Sequence, residues 1–426
     1  MRKTLKRTLR SGGRRQFLKA LSTLGLSGSA LQYLSQDTLA QLTDNPKDEV
    51  PRLKALHHEN HDAVLAGEEK PKRKPVYYTI PRDEWAVTEG AHEASRRLFS
   101  QFRSRFGTDC TGEKGLGYVT TGVTDRVNGH KREKSIVVQH VTFDGDEPQV
   151  DFERLKDASP ATMSGSVGQG DYEEQVQDVP VTFEKKEVST LAGGDEWHYD
   201  YDYSGKGTPC GAQVEVKYGG ETSDKEAIAT GTVACPAYHD NHGFVMLTAA
   251  HVVDDNYEGY EKEDIYNPDH PDKQGGTRGD TLKKNFTSQS TKCNSSNGRS
   301  NDSAIAKFTD GHTYKFAADD GTYNNGWEVY GILGWDKIKD GASLTKQGAR
   351  TGVTSGSVTC VDSNYNVFQT DTTSNSGDSG GPRFTETYYE SGTSFKSVAG
   401  VVSYGNSSVL GGPHIGNAES AMNVTI

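Results

Sequence analysis

Apolar residues are scarce in this chain of 426 residues: 32% are hydrophobic and the mean hydropathy is -0.74. No run reaches the ~18 apolar residues that a membrane-spanning helix needs, so stable membrane insertion is not expected. Basic charge is also in deficit. The formal net charge is -12, and the acidic excess falls on residues 195–426, while residues 1–194 are close to neutral. Nucleic acid is not an expected partner, because phosphate binding needs a basic face. The carboxylates suit a surface kept hydrated at high salt, or an ordinary acidic secreted domain. Cysteines number five. Cys210, Cys235, Cys293 and Cys360 lie in the second half, an even number that permits two disulfide bonds in three connectivities, and Cys110 stands alone in the first. No cysteine spacing reads as a zinc site. His57, His58 and His61 do not form HExxH, and a polar loop is expected there. No internal repeat occurs.

Against this background one segment stands out, Gly377-Asp378-Ser379-Gly380-Gly381-Pro382. A serine hydroxyl is inert at neutral pH until a base, a group orienting that base and donors for an oxyanion surround it. The small residues allow a tight turn that aims the amides of Gly377 and Ser379 at one point. Upstream, Phe244 to Val253 is an apolar run ending Thr248-Ala249-Ala250-His251, which reads as a core strand delivering an imidazole at its end. Between them, Asp302 leads a short alternating strand through Ile305 and Phe308, placed to hold the His251 tautomer. A strand-entry turn is the bland alternative for Asp302. Gly377 to Gly381 also satisfies the G-x-S-x-G elbow of α/β-hydrolases, but that fold needs its histidine after the serine, where only His414 stands.

These residues resemble the chymotrypsin-like serine peptidases, whose nucleophile sits in GDSGGP and whose base sits in TAAH. The segment from Leu344 to Thr359 contains Thr351-Gly352-Val353-Thr354-Ser355-Gly356-Ser357-Val358-Thr359 and is similar to the bacterial branch, the streptogrisins and α-lytic protease. Val398 to Gly405 resembles the strand that pairs with substrate, and Ala418 to Asn423 a terminal helix. The likeness covers roughly residues 200–426. It implies an all-β fold of two six-stranded antiparallel barrels, preceded by a small α/β pro-region. It also implies His251, Asp302 and Ser379 as catalytic residues, an oxyanion hole at Gly377 and Ser379, and substrate contacts at Ser403, Tyr404 and Gly405. Thr373 stands at the base of the primary pocket, where trypsin-like members carry an acid, so a non-basic preference is expected, with Asp371 nearby. Lys346 or Arg350 is a candidate cation for Asp378. One departure is Val252, where many members place a cysteine bonded to a position like Cys235; Cys235 must pair elsewhere or stay free.

The N-terminus, Ser11 to Lys19 with Arg14-Arg15, resembles a twin-arginine export signal followed by a weakly apolar stretch, so secretion is expected. The division expected is 1–40 signal, 41–200 pro-region or accessory α/β domain, and 201–426 peptidase domain. Within the second part, 41–75 reads as polar linker, 81–104 as a helix, Ser135 to Phe143 and Val179 to Phe183 as strands, and 155–178 as loop. No cofactor is expected. Carboxylates between Asp254 and Asp280 could supply oxygen ligands to calcium, with a solvated acidic face the simpler reading. The reading is a secreted serine endopeptidase made as a zymogen, acting on protein or peptide substrates and monomeric after maturation. Its alternatives are a non-catalytic binding homologue on the same scaffold and an esterase-type hydrolase.

Overall fold

A computed structural model describes residues 49–113, 117–128, 131–168, 173–190, 203, 205–218, 227–253, 262–267, 277–286, 301–406 and 408–426. The export signal, Cys293 and most of the acidic stretch from 254 to 280 lie outside these residues.

The N-terminal part runs β1 (Glu49–His58), α1 (His61–Leu65), β2 (Arg73–Pro81), α2 (Arg82–Phe106), β3 (Tyr118–Asn128), β4 (Lys131–Phe143), α3 (Phe152–Asp157), β5 (Thr162–Val167) and β6 (Glu174–Thr190). α2 forms where the sequence predicts a helix. Asp83 and Glu84 sit in its first turn and Arg103 and Arg105 in its last, each matching the helix dipole. Its apolar stripe, Ala91, Ala94, Leu98 and Phe102, packs on Val119, Val123, Ile136 and Val138 of β3 and β4.

Two expectations for this part are corrected. Residues 155–178 are not a plain loop: they hold the end of α3, all of β5 and the start of β6. Residues 49–75, the described part of 41–75, are not a polar linker either. β1 pairs with β2 along its length, and Val50, Leu53 and Leu56 are buried. His57 and His58, expected in a polar loop, are buried in β1, and the rings of both contact Tyr330.

The C-terminal part continues with β7 (Thr208–Cys210), β8 (Gln213–Tyr218), β9 (Ala227–Thr232), β10 (Pro236–His239), β11 (Gly243–Thr248), β12 (Lys262–Asn267), β13 (Thr277–Phe286), β14 (Asp302–Phe308), β15 (His312–Ala317) and β16 (Tyr323–Leu333). After α4 (Trp335–Lys339) come β17 (Ser343–Gly348), β18 (Gly352–Asp362), β19 (Val367–Thr370), β20 (Pro382–Glu390), β21 (Thr393–Val401), β22 (Tyr404–Gly405) and β23 (Leu410–Pro413). The chain closes with α5 (Ile415–Met422) and β24 (Val424–Thr425). An 8-stranded sheet in the order β24-β10-β11-β14-β13-β12-β8-β9 carries the first half of this part.

The all-β architecture expected for this part is met, with an α/β region before it, and its second half extends beyond its own strands. Its strands join those of the N-terminal part in one 16-stranded sheet whose path runs β19-β23-β22-β6-β4-β3-β18-β17-β20-β21-β16-β1-β2. The pairings of β16 with β21, β4 with β6 and β7 with β15 are parallel. The reason is edge completion: β1 adds to β16, β6 to β22 and β3 to β18, covering donors and acceptors that edge strands would expose. Leu53, Leu56 and Val64 belong to the same hydrophobic cluster as Val245, Leu247 and Ile305. Burying each such side chain is worth roughly 2 kcal/mol.

Among the described residues the disulfide expectation is not met. Cys210, Cys235 and Cys360 carry free thiols, each buried. Burial pushes all three thiols up, Cys360 to about 12, so they are packing groups rather than nucleophiles.

Candidate active site

Three distant stretches meet between the two sheets. β11 ends at Thr248, whose hydroxyl donates to the Thr232 carbonyl at 2.8 Å, and buried Ala249 and Ala250 lead to His251. Asp302 is the first residue of β14, which pairs with β11 in the register Thr248↔Ala304. That pairing brings the ends of the two strands together. His251 Nδ1 lies 2.7 Å from Asp302 Oδ2, and the His251 amide donates to Oδ1 at 3.1 Å. On the other side of the ring, His251 Nε2 lies 2.7 Å from Ser379 Oγ.

Burial works against the charge on Asp302. His251 and hydrogen bonds from its side chain, from the Ser403 hydroxyl and from the His251 amide outweigh that, and hold the carboxyl below its usual range. Asp302 therefore stays ionised at neutral pH and holds a ring proton of His251 on Nδ1. Nε2 is left as the acceptor facing the hydroxyl.

Ser379 sits at a turn held on both sides. The Thr232 amide donates to its carbonyl at 2.7 Å, and the Gly380 amide donates to Val402 at 2.8 Å. Gly380 has φ +88, and a Cβ there would lie 2.0 Å from the Thr232 carbonyl oxygen, so glycine is required. Among the described residues, no acceptor takes a hydrogen bond from the amide of Gly377 or Ser379. Such amides suit a developing oxyanion.

Asp378, next to the serine, points away from it into the protein. Its carboxylate accepts from Lys346 Nζ at 2.7 Å, the Thr351 hydroxyl at 2.6 Å, and the amides of Arg350, Thr351 and Asn375 at 3.1, 2.9 and 3.0 Å. Of the two cations the sequence offered, Lys346 makes the ion pair and Arg350 contributes only its backbone. Burial pulls the Lys346 ammonium below its usual range, against the pull of Asp378.

The remaining residues named from sequence are placed as follows. Ser403, Tyr404 and Gly405 are buried. The Ser403 hydroxyl also donates to Asp302 Oδ2. Thr373 is exposed, and its carbonyl accepts from Thr354 Oγ1 at 2.8 Å. Its neighbours Thr372 and Ser374 are the buried hydroxyls, and Ser374 Oγ has no partner among the described residues. Sequence reading missed Ser374 because burial alternates along an irregular segment with no strand period. Asp371 is exposed and accepts from the Ser357 amide at 2.6 Å. His414, the histidine an elbow would need, is buried against the Leu333 carbonyl at 2.8 Å, with its other ring nitrogen accepting from the Gly416 amide. The elbow alternative therefore has no base. Among the described residues, no His, Cys, Asp and Glu cluster has the geometry to hold a metal ion.

The sequence profile described as Trypsin matches residues 207–420. No curated protein matches. Among solved structures, similarity is found to a Nocardiopsis protease (NAPase), at 18% identity over 46% of this chain and 92% of that one, with a TM-score of 0.29. A thermostable serine protease, AL20, from an extremophilic microorganism follows at 15% identity over 50% and 95%, with a TM-score of 0.29. The protease Rv3671c of M. tuberculosis, in an inactive form, follows at 17% identity over 50% and 87%, with a TM-score of 0.25.

Proposed function

This chain belongs to the trypsin family and is a serine endopeptidase acting on protein substrates, and from that premise we propose that it works through Ser379, His251 and Asp302 by an acyl-enzyme route. The observation that carries the proposal is the unbroken pair of 2.7 Å contacts from Asp302 through His251 to Ser379. His251 Nε2 takes the Ser379 proton as the oxygen attacks a peptide carbonyl. The amides of Gly377 and Ser379 hold the oxyanion. His251 returns the proton to the leaving amine, and water then hydrolyses the ester by the same relay. Asp302 stays ionised throughout, orienting the ring and stabilising the imidazolium.

The primary pocket is taken to lie along the Thr372 to Ser374 segment and the Ser403 to Gly405 strand. No carboxylate at position 373 is available to a basic side chain, and the Asp371 carboxylate is engaged by Ser357, so the preference is for a non-basic residue before the cut. No cofactor takes part. The enzyme is made as a zymogen, with residues 41–200 as pro-region and 201–426 as the peptidase. It is secreted by the twin-arginine route and is monomeric after maturation. Among the described residues no helix is long and apolar enough to cross a membrane.

The test is hydrolysis of a peptide library by the matured enzyme. Ser379→Ala and His251→Ala each lower turnover by about four or more orders of magnitude. Turnover within about tenfold of the parent in either variant contradicts the assignment. A scaffold used only for binding would show no turnover even in the parent.

A further inference from the structure

Five lysines and arginines are buried among the described residues: Arg52, Lys339, Lys346, Lys396 and Arg383. Four of these face a carboxylate. Arg52 pairs with Glu89 and Asp340, Lys339 with Glu89, Lys346 with Asp378 and Lys396 with Glu386. Arg383 is 1% exposed and has no carboxylate within ion-pair distance among the described residues. Its Nη1 donates to the Phe368 carbonyl at 3.1 Å and its Nη2 to the Pro413 carbonyl at 3.3 Å, while Nε has no acceptor among those residues. The guanidinium lies flat against Phe368, 3.7 Å from the ring centre. Burial pulls it down to about 9, so it keeps its charge at neutral pH. A buried cation without a counter-charge is costly to hold.

Its position is specific. A Cβ on Gly400 would lie 2.9 Å from Arg383 Nη2, and one on Gly412 would lie 3.1 Å from it and 3.2 Å from Ser403 Cβ. The guanidinium thus fills the space that a side chain at Gly412 would take, next to Ser403. Gly412 belongs to β23, which pairs on one edge with Tyr404 and Gly405 of β22 and on the other with β19. β19 ends at Thr370, just before Thr372. The segment from Thr372 to Ser374 and the strand from Ser403 to Gly405 are the two walls assigned above to the primary pocket. Arg383 lies behind the sheet that joins them, and Ser374 Oγ is a buried hydroxyl without a partner in the first wall.

We propose that Arg383 is the specificity-determining residue of the primary pocket, and that the enzyme cuts after acidic side chains, glutamate or aspartate. The proposal rests on the peptidase reading above and narrows its non-basic preference. A carboxylate entering between the walls supplies the missing counter-charge and can accept from the Ser374 hydroxyl. A lysine or arginine meets like charge in an interior that screens it poorly. The two carbonyls and the Phe368 ring hold the guanidinium in place, so its charge is preorganised.

The experiment measures kcat/KM on peptides that differ only in the residue before the cut, Glu, Gln, Leu or Lys, with enzyme produced from the full chain. Glu and Gln share a shape and differ in charge, so their ratio isolates the charge. The parent is expected to favour Glu over Gln by about tenfold or more, with Lys lowest. Arg383→Met keeps an unbranched side chain on Phe368 without the charge. It is expected to bring the Glu to Gln ratio down to about one or below, while the Leu peptide stays within about threefold of the parent. A merely structural arginine would change all four peptides alike. Arg383→Lys keeps the charge and is expected to keep Glu ahead of Gln, and the parent ratio decides alone if neither variant folds. A parent that cuts Gln or Leu peptides as well as Glu, or a ratio unchanged in Arg383→Met, overturns the proposal while leaving the peptidase reading intact. No turnover of any peptide, together with no phosphonate labelling of Ser379, overturns both.

Discussion

Lys346 has no route to water. Its side chain and that of Asp378 are both fully buried, 2.7 Å apart, directly behind the Ser379 turn. Two buried charges are tolerable only because five donors converge on the carboxylate; removing one partner leaves the other uncompensated. Lys346→Met is therefore expected to lower unfolding free energy by about 3–5 kcal/mol in urea titrations. A loss below about 1 kcal/mol would mean that the pair is not set as described. At this scale much of the site was legible. Ser379 and His251 each lie in a local pattern, a glycine-rich turn and the end of an apolar strand. The pair of Asp378 with Lys346 was narrowed to two candidates, and only packing could choose between Lys346 and Arg350. The hydrogen bond from Ser403 to Asp302 joins residues 101 apart in sequence, and nothing local announces it.

β1 shows why an element can hide. Its segment, Glu49 to His58, carries Glu, Arg, Lys and two His, so it reads as polar. Yet Arg52 is buried, its guanidinium held by Asp340, Glu89 and the Asp336 carbonyl. These partners come from α2, 37 residues on, and from the α4 region, 284 and 288 residues on, and no local pattern could supply them. α2 was legible by contrast, because its stripe and its end charges are local. β1 is also a structural part of the peptidase half. It pairs with β16 in the register Leu56↔Ile332, and a Cβ on Gly331 would lie 1.9 Å from the Leu56 carbonyl oxygen. Leu56 is 5% exposed and shares the core of the first sheet's strands. Leu56→Ala is accordingly expected to destabilise residues 205–218 and 227–253 together with β1, by about 2–5 kcal/mol. Hydrogen exchange reads this directly: protection should fall in β10 and β11 as well as in β1. A loss confined to β1 and β2 would show that the cores are separate.

Across the whole molecule, the site exists only where the two sheets touch. Thr232, at the end of β9, is one clasp. Its amide donates to the Ser379 carbonyl, its hydroxyl donates to the Gly377 carbonyl at 2.8 Å, and that same hydroxyl accepts from the Ala349 amide at 2.9 Å. The histidine and aspartate thus come with the 8-stranded sheet, the serine with the larger one, and the threonine sets the spacing between them. The two-part plan of this half was legible only through the resemblance of its motifs to the chymotrypsin-like family. The merging of its second sheet with the N-terminal part was not, because edge pairing between distant segments has no sequence signature. The most direct measurement is mass-spectrometric mapping of an aryl phosphonate adduct on the matured chain. The account predicts one adduct, on Ser379, and its loss in His251→Ala although the serine hydroxyl is still present. An adduct on another residue, or labelling that persists unchanged in His251→Ala, would contradict it.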